Sequence, residues 1–362
     1  MQQATVYSEI GRFAGWPANY GMWAWGNELV LGFITCHYER DGKFHARNKN
    51  HPALTKQARS MDGGLTWRTD AFPGQTPGGR GLSADEHMNA GLRLAEVIEG
   101  PDAPKQQMTP VDFTAPNFAF MAARTGLVPG CKSFYYLSDD RAKTWSGPYS
   151  WPQFVWAGVA ARTDYIVMGP AHMIVFLTAN KFDGEEGRVF SAETKDGGIT
   201  WNFLSWIGEE LPGEDHGIMP ASLRLPNGEI IVVTRAGHGH NYTLELYRSA
   251  DDARTWDGPK VVVAFKDEHA NHLGNPATLS LLADGRVAMT WGNRDAPYTI
   301  DASLSNDGGK TWGPVRQLRE GGGNHDLGYP RTVTNAKGDL VTAYYFNEKL
   351  RERLIGVTIW VP

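Results

Sequence analysis

The chain has 362 residues, 41% of them apolar and 21% charged, and a formal net charge of −5. This is an ordinary globular composition, and a slightly negative chain without any block of Lys or Arg has no electrostatic attraction for nucleic acid or an anionic membrane. Thirteen Trp, thirteen Tyr and fifteen Phe beside 42 Gly and 21 Pro predict many short strands joined by tight turns; the two cysteines exclude a disulfide framework and a zinc-type cysteine cluster but leave one disulfide open.

In chain order, the N-terminal stretch lacks the basic and apolar regions of a signal peptide, and no apolar run reaches the ~18 residues of a membrane span. The expectation is a soluble chain, cytoplasmic or secreted after loss of a signal peptide. ATVYSEI (4–10) reads as a strand, and GWPAN (15–19) as the beginning of another. The turn SMDGGLTW follows at 60–67 and returns as SDDRAKTW (138–145), TKDGGITW (194–201), SADDARTW (249–256) and SNDGGKTW (305–312). Its Trp stands at 67, 145, 201, 256 and 312, in steps of 78, 56, 55 and 56, and a fixed period of that size signals a repeat architecture. The long first step places an insert in the Gly- and Pro-rich stretch between Asp70 and Pro116, and a long loop of that kind is often functional.

The fourth copy shows the frame most clearly: MPASLRLPNG, EIIVVTRAG and YTLELYRS, then the turn, then TWDGPKVVVAF. Four alternating strands repeated radially make a propeller blade. An all-β, six-bladed propeller of four-stranded antiparallel blades fits the length, as one domain over 1–362. The last unit has YPRTVTNAKG, DLVTAYYF and RLIGVTIW but no sixth turn, so ATVYSEI is expected to supply its outer strand and close the ring. Within each turn the Asp can accept backbone N–H groups, Gly permits positive φ, and the Trp buries between sheets. Asp62, Asp140, Asp196, Asp251 and Asp307 are therefore assigned to structure.

These turns resemble the Asp boxes of the sialidase (neuraminidase) superfamily, whose BNR-type repeats form six-bladed propellers with the active site on the opposite face. The resemblance implies an arginine triad for a substrate carboxylate, a Tyr nucleophile paired with a Glu, and an Asp acid/base. GYPRTV puts Tyr329 at the nucleophile's place, and VVTRAG and GNRDAPY put Arg235 and Arg294 near two triad arginines. The place of the first arginine holds Trp16, with Arg12 the nearest arginine; the place of the Glu holds Met219; and Asp41 in YERDGKF stands roughly where an acid/base would come.

Two arginines beside a tyrosine suit an acidic, carboxylate-bearing sugar, because guanidinium binds carboxylate bidentately. Ten of the eleven histidines map to the same face, only His172 to the other, which points to acid/base work or sugar recognition. His216, His325 and His45 join Tyr329 and Asp41 as expected catalytic residues. Arg235, Arg294, Trp16, Arg12, Asn275, Asp164 and His238 are the expected substrate-binding set. Arg235 and Arg294 could instead pair with Asp215 and Asp295. His238 with His240, and His269 with His272, have metal-like spacing without a companion carboxylate, so neither a metal nor another cofactor is expected. The reading is a sialidase-like glycoside hydrolase acting on a terminal acidic sugar; the alternatives are a uronate lyase using Tyr or His, and a sugar-binding propeller without catalysis.

Overall fold

The structure, a computed structural model, describes all residues except 41–43, 78–80, 85–87, 94–97, 128, 153, 155–157, 266–273 and 350. The chain opens with β1 (Gln2–Tyr7), β2 (Arg12–Gly15), a one-turn helix α1 (Pro17–Tyr20), β3 (Met22–Trp25), β4 (Glu28–His37), β5 (Leu54–Ser60) and β6 (Arg68–Ala71). Next come β7 (Ala119–Arg124), β8 (Ser133–Ser138) and β9 (Ser146–Ser150). A third group holds β10 (Val159–Ala160), β11 (Tyr165–Gly169), β12 (His172–Asn180), β13 (Glu186–Thr194) and β14 (Asn202–Ile207). Two regular groups follow: β15 (His216–Arg224), β16 (Ile230–His238), β17 (Asn241–Ser249), β18 (Asp257–Ala264); and β19 (Ala277–Leu281), β20 (Val287–Asn293), β21 (Thr299–Ser305), β22 (Arg316–Arg319). The chain ends with β23 (Gly328–Thr334), β24 (Leu340–Asn347) and β25 (Arg353–Trp360).

The protein is all-β, a propeller arrangement with antiparallel four-stranded blades, shown most plainly by β15–β18 and β19–β22. The hydrogen bonds do not divide it into six separate blades of four, as the repeat predicts. Among the described residues there are five sheets, because β2 pairs antiparallel with β4 and meets β25 in parallel at Phe13 and Arg353, welding the first and last groups into one nine-stranded sheet. On that sheet β1 runs antiparallel to β25, from Gln2 opposite Ile359 to Tyr7 opposite Ile355. Among the described residues the second group has three strands rather than four. The inner edge of β7 is met instead by side chains: Ala122 N donates to Thr163 Oγ1 (3.0 Å) and Arg124 N to Ser83 Oγ (3.2 Å).

Burial follows radial position. β16 is buried along nearly its whole length, since sheets pack on both its faces, while the outer strand β18 is mostly exposed. The core lies between consecutive sheets: Phe120, Tyr135 and Trp151 against Val175, Leu177 and Phe190; Ile174 and Phe176 against Ile230, Val232 and Tyr247; Val233 and Leu244 against Leu279, Met289 and Trp291. Leu82, Ala84, Met88 and Ile98 of the insert join the core of the first group. Cys36 and Cys131 are both buried thiols, so the possible disulfide is not formed. Among the described residues no helix is long and apolar enough to cross a membrane.

The five repeated turns share one hydrogen-bond pattern. Asp62 Oδ1 accepts from Ser60 Oγ (2.8 Å), Leu65 N (3.0 Å) and Thr66 N (2.9 Å), its Oδ2 from Thr66 Oγ1 (2.6 Å), and Ser60 Oγ accepts from Gly64 N (2.9 Å). Asp140, Asp196, Asp251 and Asp307 accept in the same way from the Thr four residues later. Two turns lack the glycine pair, yet Arg141 (φ 63), Ala142 (φ 58), Asp252 (φ 55) and Ala253 (φ 65) hold the same left-handed backbone, so the side-chain bonds outweigh the steric cost. The Trp of three turns then reaches into the preceding sheet. Trp145 Nε1 donates to Gln57 Oε1 (2.9 Å), Trp201 Nε1 to Tyr135 Oη (3.4 Å) and Trp256 Nε1 to Ser205 Oγ (2.9 Å).

Asp196→Ala removes these acceptors from one turn and is expected to cost about 1–2 kcal/mol, because the site is partly solvated and each bond is worth on the order of 1 kcal/mol. Thermal melting should show the loss, while ligand affinity at 25 °C should be unchanged.

Candidate active site

The site is built on a backbone irregularity used more than once. β15 and β23 each carry a register shift, between Ile218 and Ala221 and between Gly328 and Arg331. At these shifts Met219 (φ 54) and Tyr329 (φ 50) take left-handed backbone immediately before a proline, as does Trp16 (φ 57) before Pro17. Such conformations cost bulky residues free energy and persist only where surrounding contacts fix them. Asn275 supplies contacts for Tyr329: its Oδ1 accepts from Tyr329 N (2.8 Å) and its Nδ2 donates to Leu327 O (3.0 Å). A Cβ on Gly328 would lie 2.4 Å from Asn275 Nδ2, so this clamp requires glycine there. Met219 and Tyr329 thereby meet Ala18 and Ile218, residues far apart in the chain.

Around the Tyr329 phenol stands positive charge. Arg235 Nη1 donates to Tyr329 Oη (3.3 Å) and contacts Met219 Sδ (3.8 Å), and the guanidinium carbon of Arg294 lies 5.5 Å from the centre of the Tyr329 ring. Burial would raise the phenol's pKa, but Arg235, Arg294, Arg162 and Arg124 together bring it below its ordinary value. All four arginines are buried, at 2–5% exposure. Arg162 donates through Nη1 to Glu186 Oε1 (2.8 Å) and through Nε to Asn19 Oδ1 (3.2 Å). Arg235 and Arg294 form no ion pair among the described residues, so Asp215 and Asp295 do not neutralise them. The Arg235 Nε is buried there without a hydrogen-bond partner. Arg294 is held more fully, by Leu327 O (3.3 Å), Gly274 O (3.2 Å) and Tyr345 Oη (3.0 Å), and therefore acts on Tyr329 through its charge.

Behind Arg294 lies a buried network centred on Asp326. Its Oδ1 accepts from Tyr345 Oη (3.0 Å) and meets His45 Nδ1 (2.7 Å); its Oδ2 accepts from Ala46 N (3.0 Å) and Arg353 Nε (2.9 Å). Burial alone would raise the Asp326 carboxyl, but His45 and Arg353 hold it far below its ordinary value. His45 is itself pushed down, by burial first, against the opposing pull of Asp326.

The comparisons with known proteins bear on this arrangement. A family model described as a BNR repeat-like domain matches residues 105–342. The chain belongs to this family. No curated protein matches the sequence. Among solved structures, a protein of unknown function from Dyadobacter fermentans is 18% identical, with a TM-score of 0.72 over 99% of this chain and 97% of its own. An alpha-L-arabinanase from Penicillium chrysogenum, solved with arabinobiose, is 12% identical with a TM-score of 0.60, over 99% and 98%. An intramolecular trans-sialidase from Ruminococcus gnavus, in complex with oseltamivir carboxylate, is 10% identical with a TM-score of 0.58, over 94% and 93%. At such identities these likenesses speak for the fold.

Within this BNR repeat-like chain, the structure gathers some of the expected residues and disperses others. Tyr329, Arg235, Arg294 and Asn275 stand together, with His216 on the strand beside Arg235. His45 is a buried support on Asp326, and His325 meets Phe44 O through Nε2 (3.2 Å). Trp16 is a core residue, 1% exposed, packed on Phe13 and His45. Arg12 pairs with Glu9 (3.6 Å) and does not replace the missing arginine. His238 bonds Glu245 Oε1 (2.7 Å) and lines a 170 Å³ cleft between neighbouring sheets, together with Arg188, Leu211 and Tyr247. Asp41, His269 and His272 lie outside the described residues, and within those residues no cluster of His, Cys, Asp or Glu could hold a metal. Arg124, Arg162 and Glu186 went unnoticed in the sequence, although ARTG at 123–126 echoes TRAG at 234–237.

Asp164 lies buried, its Oδ1 accepting from Ser222 N (3.3 Å) and Oγ (3.1 Å) and its Oδ2 without a partner among the described residues. Burial pushes its carboxyl up to about 7, against the opposing pull of Arg331 and Ser222. Because the folded value lies above the unfolded one, the fold loses stability as pH rises from about 4 to about 7. Asp164→Asn should therefore melt higher than the parent protein at pH 8, and the advantage should vanish near pH 3. For Tyr329, an ultraviolet pH titration should show one phenol ionising below the usual value near 10. That transition should be absent in Tyr329→Phe and shifted upward in Arg235→Met.

Proposed function

We propose that the protein is a sialidase-like glycoside hydrolase that removes a terminal acidic sugar from a glycan, with Tyr329 as nucleophile. The observation that supports this reading is the phenol of Tyr329 set against Arg235 and Arg294 with its pKa lowered. A phenol is a poor nucleophile at neutral pH unless cations or a base favour phenolate, and here the cations are in place. The same buried positive charge suits a carboxylate on the sugar, Arg235 being the arginine with donor capacity left over. That an arabinanase and a trans-sialidase share the fold agrees with a glycan substrate.

In this reading the chain is one propeller domain over 1–362. The nine-stranded sheet is two blades sharing β2, which makes six blades, and β1 on β25 closes the ring. The insert at about 70–116 forms the rim of the pocket, where Ser83 already meets Arg124.

Arg235→Ala should weaken an acidic sugar by about 1.5–3 kcal/mol and leave a neutral analogue nearly unaffected. Tyr329→Phe should abolish turnover and spare binding. A product heavier by one water, and a fluorinated acidic sugar covalently attached to Tyr329, are the outcomes expected in mass spectrometry. Products whose masses sum to that of the substrate would mark a lyase instead, and no turnover on any acidic glycan would leave a binding propeller.

A further inference from the structure

We propose that the turn at 181–185 is the subsite for a neutral sugar attached to the terminal acidic one, with Phe182 as the platform on which that sugar stacks. The inference rests on the hydrolase reading above and names the leaving group such an enzyme takes.

Phe182 is 94% exposed and has no ring partner among the described residues. A single exposed apolar side chain means little by itself, but this one stands on a backbone that is fixed from several sides. Gly184 N donates to Lys181 O (3.0 Å), Lys181 N to Glu185 O (2.8 Å) and Glu185 N to Asp183 Oδ1 (3.0 Å), which closes the turn. The Lys181 side chain is wholly buried, and its Nζ donates to the carbonyl oxygens of Leu211 (3.1 Å), Gly213 and Asp215 (3.1 Å) and pairs with Asp183 Oδ2 (3.2 Å). Phe182 N donates to Glu210 Oε1 (3.0 Å), and Glu210 Oε2 pairs with Arg188 Nη1 (3.3 Å). An aromatic ring held on a rigid turn loses little freedom when a ligand covers it, and the C–H face of a pyranose is an apolar surface of matching shape.

The turn lies beside the site. Glu186, the residue after it, pairs with Arg162 (2.8 Å), one of the four arginines acting on Tyr329. A Cβ on Gly187 would lie 3.2 Å from Lys181 Cε and 3.0 Å from His216 Cβ, so the turn packs directly on β15, the strand that carries Met219 into the site. Arg162 follows β10, which pairs with β12, and the turn joins β12 to β13. It therefore stands about one and a half strand spacings, roughly 7 Å, outward of the inner strand, which is the span of one further sugar.

The surrounding charge gives the class of that sugar. Asp183 and Glu185 flank Phe182 in the turn, Glu209 precedes the carboxylate that holds its amide, and Glu214 lies between two of the carbonyls that hold Lys181; all four are exposed, whereas Lys181 is not. A second carboxylate-bearing sugar is repelled at this rim and a neutral one is not. The arginine-lined centre thus takes the acidic unit, and the rim takes the neutral unit it is attached to.

The test compares leaving groups on the full chain. Phe182→Ala should lower the ratio of kcat/KM for sialyllactose, an acidic sugar on a neutral disaccharide, over that for methyl sialoside by about tenfold, acting through KM, and Phe182→Trp should keep the ratio. A dimer of sialic acid should turn over more slowly than sialyllactose. In the Tyr329→Phe protein, saturation-transfer NMR should reach the C–H protons of the neutral sugar of sialyllactose, and this signal should fall relative to that of the acidic sugar when Phe182→Ala is added. An unchanged ratio, or a neutral-sugar signal that does not fall, overturns the platform, and faster turnover of the acidic dimer overturns the neutral class. Should the unmutated protein turn over neither sialoside, the hydrolase reading falls and the subsite with it. Turnover of both with a ratio indifferent to Phe182 removes the subsite alone.

Discussion

The molecule depends on sheets that cannot be buried alone. A strand such as β16, apolar on both faces, needs a neighbour on each side, and it has both: Ile230 and Val232 pack with Ile174 and Phe176, and Val233 packs with Leu279 and Met289. The repeated turn serves that constraint from the periphery. Its Asp collects the free N–H groups of a tight loop, and in three of the five turns the Trp that the loop presents bonds into the sheet before it. Short-range chemistry within eight residues thus secures a long-range interface.

The functional end uses opposite means. Where the turns relieve strain with hydrogen bonds, the shifts at Met219 and Tyr329 hold bulky residues in left-handed backbone ahead of proline, and Asn275 keeps one of them in place. The gain is direction, because a regular strand would point these side chains into the spaces between sheets. Rigid sheets behind an irregular inner edge are how a symmetric scaffold comes to hold an asymmetric site.

Much of this was legible in the sequence because it repeats. The Trp spacing reveals the blade-like units, and the stretches GYPRTV, VVTRAG and GNRDAPY carry the resemblance that points to Tyr329, Arg235 and Arg294. What escaped depends on breaks in the frame. Among the described residues the β7 group has no inner strand, so Arg124 has no aligned partner, although it ends its strand as Arg235 nearly ends β16. Arg162 lies in the short link between β10 and β11, two residues before Asp164, where no repeated pattern marks it. Trp16 reads as a pocket residue by position but is core by packing, and the joining of two groups through β2 rests on one tertiary contact at Phe13 that no local pattern announces.

Arg124, Arg162, Arg235, Arg294 and Tyr329 come from five different sheets, one each, by way of β7, the β10–β11 link, β16, the end of β20 and β23. Four like charges are thus brought together only by packing these sheets side by side, and their mutual repulsion acts on the interfaces between them. An acidic sugar bound beside them, as proposed above, would reverse the sign of that force. It would act as a keystone, drawing on all five sheets at once, so that occupancy of the site and cohesion of the sheets would become a single equilibrium.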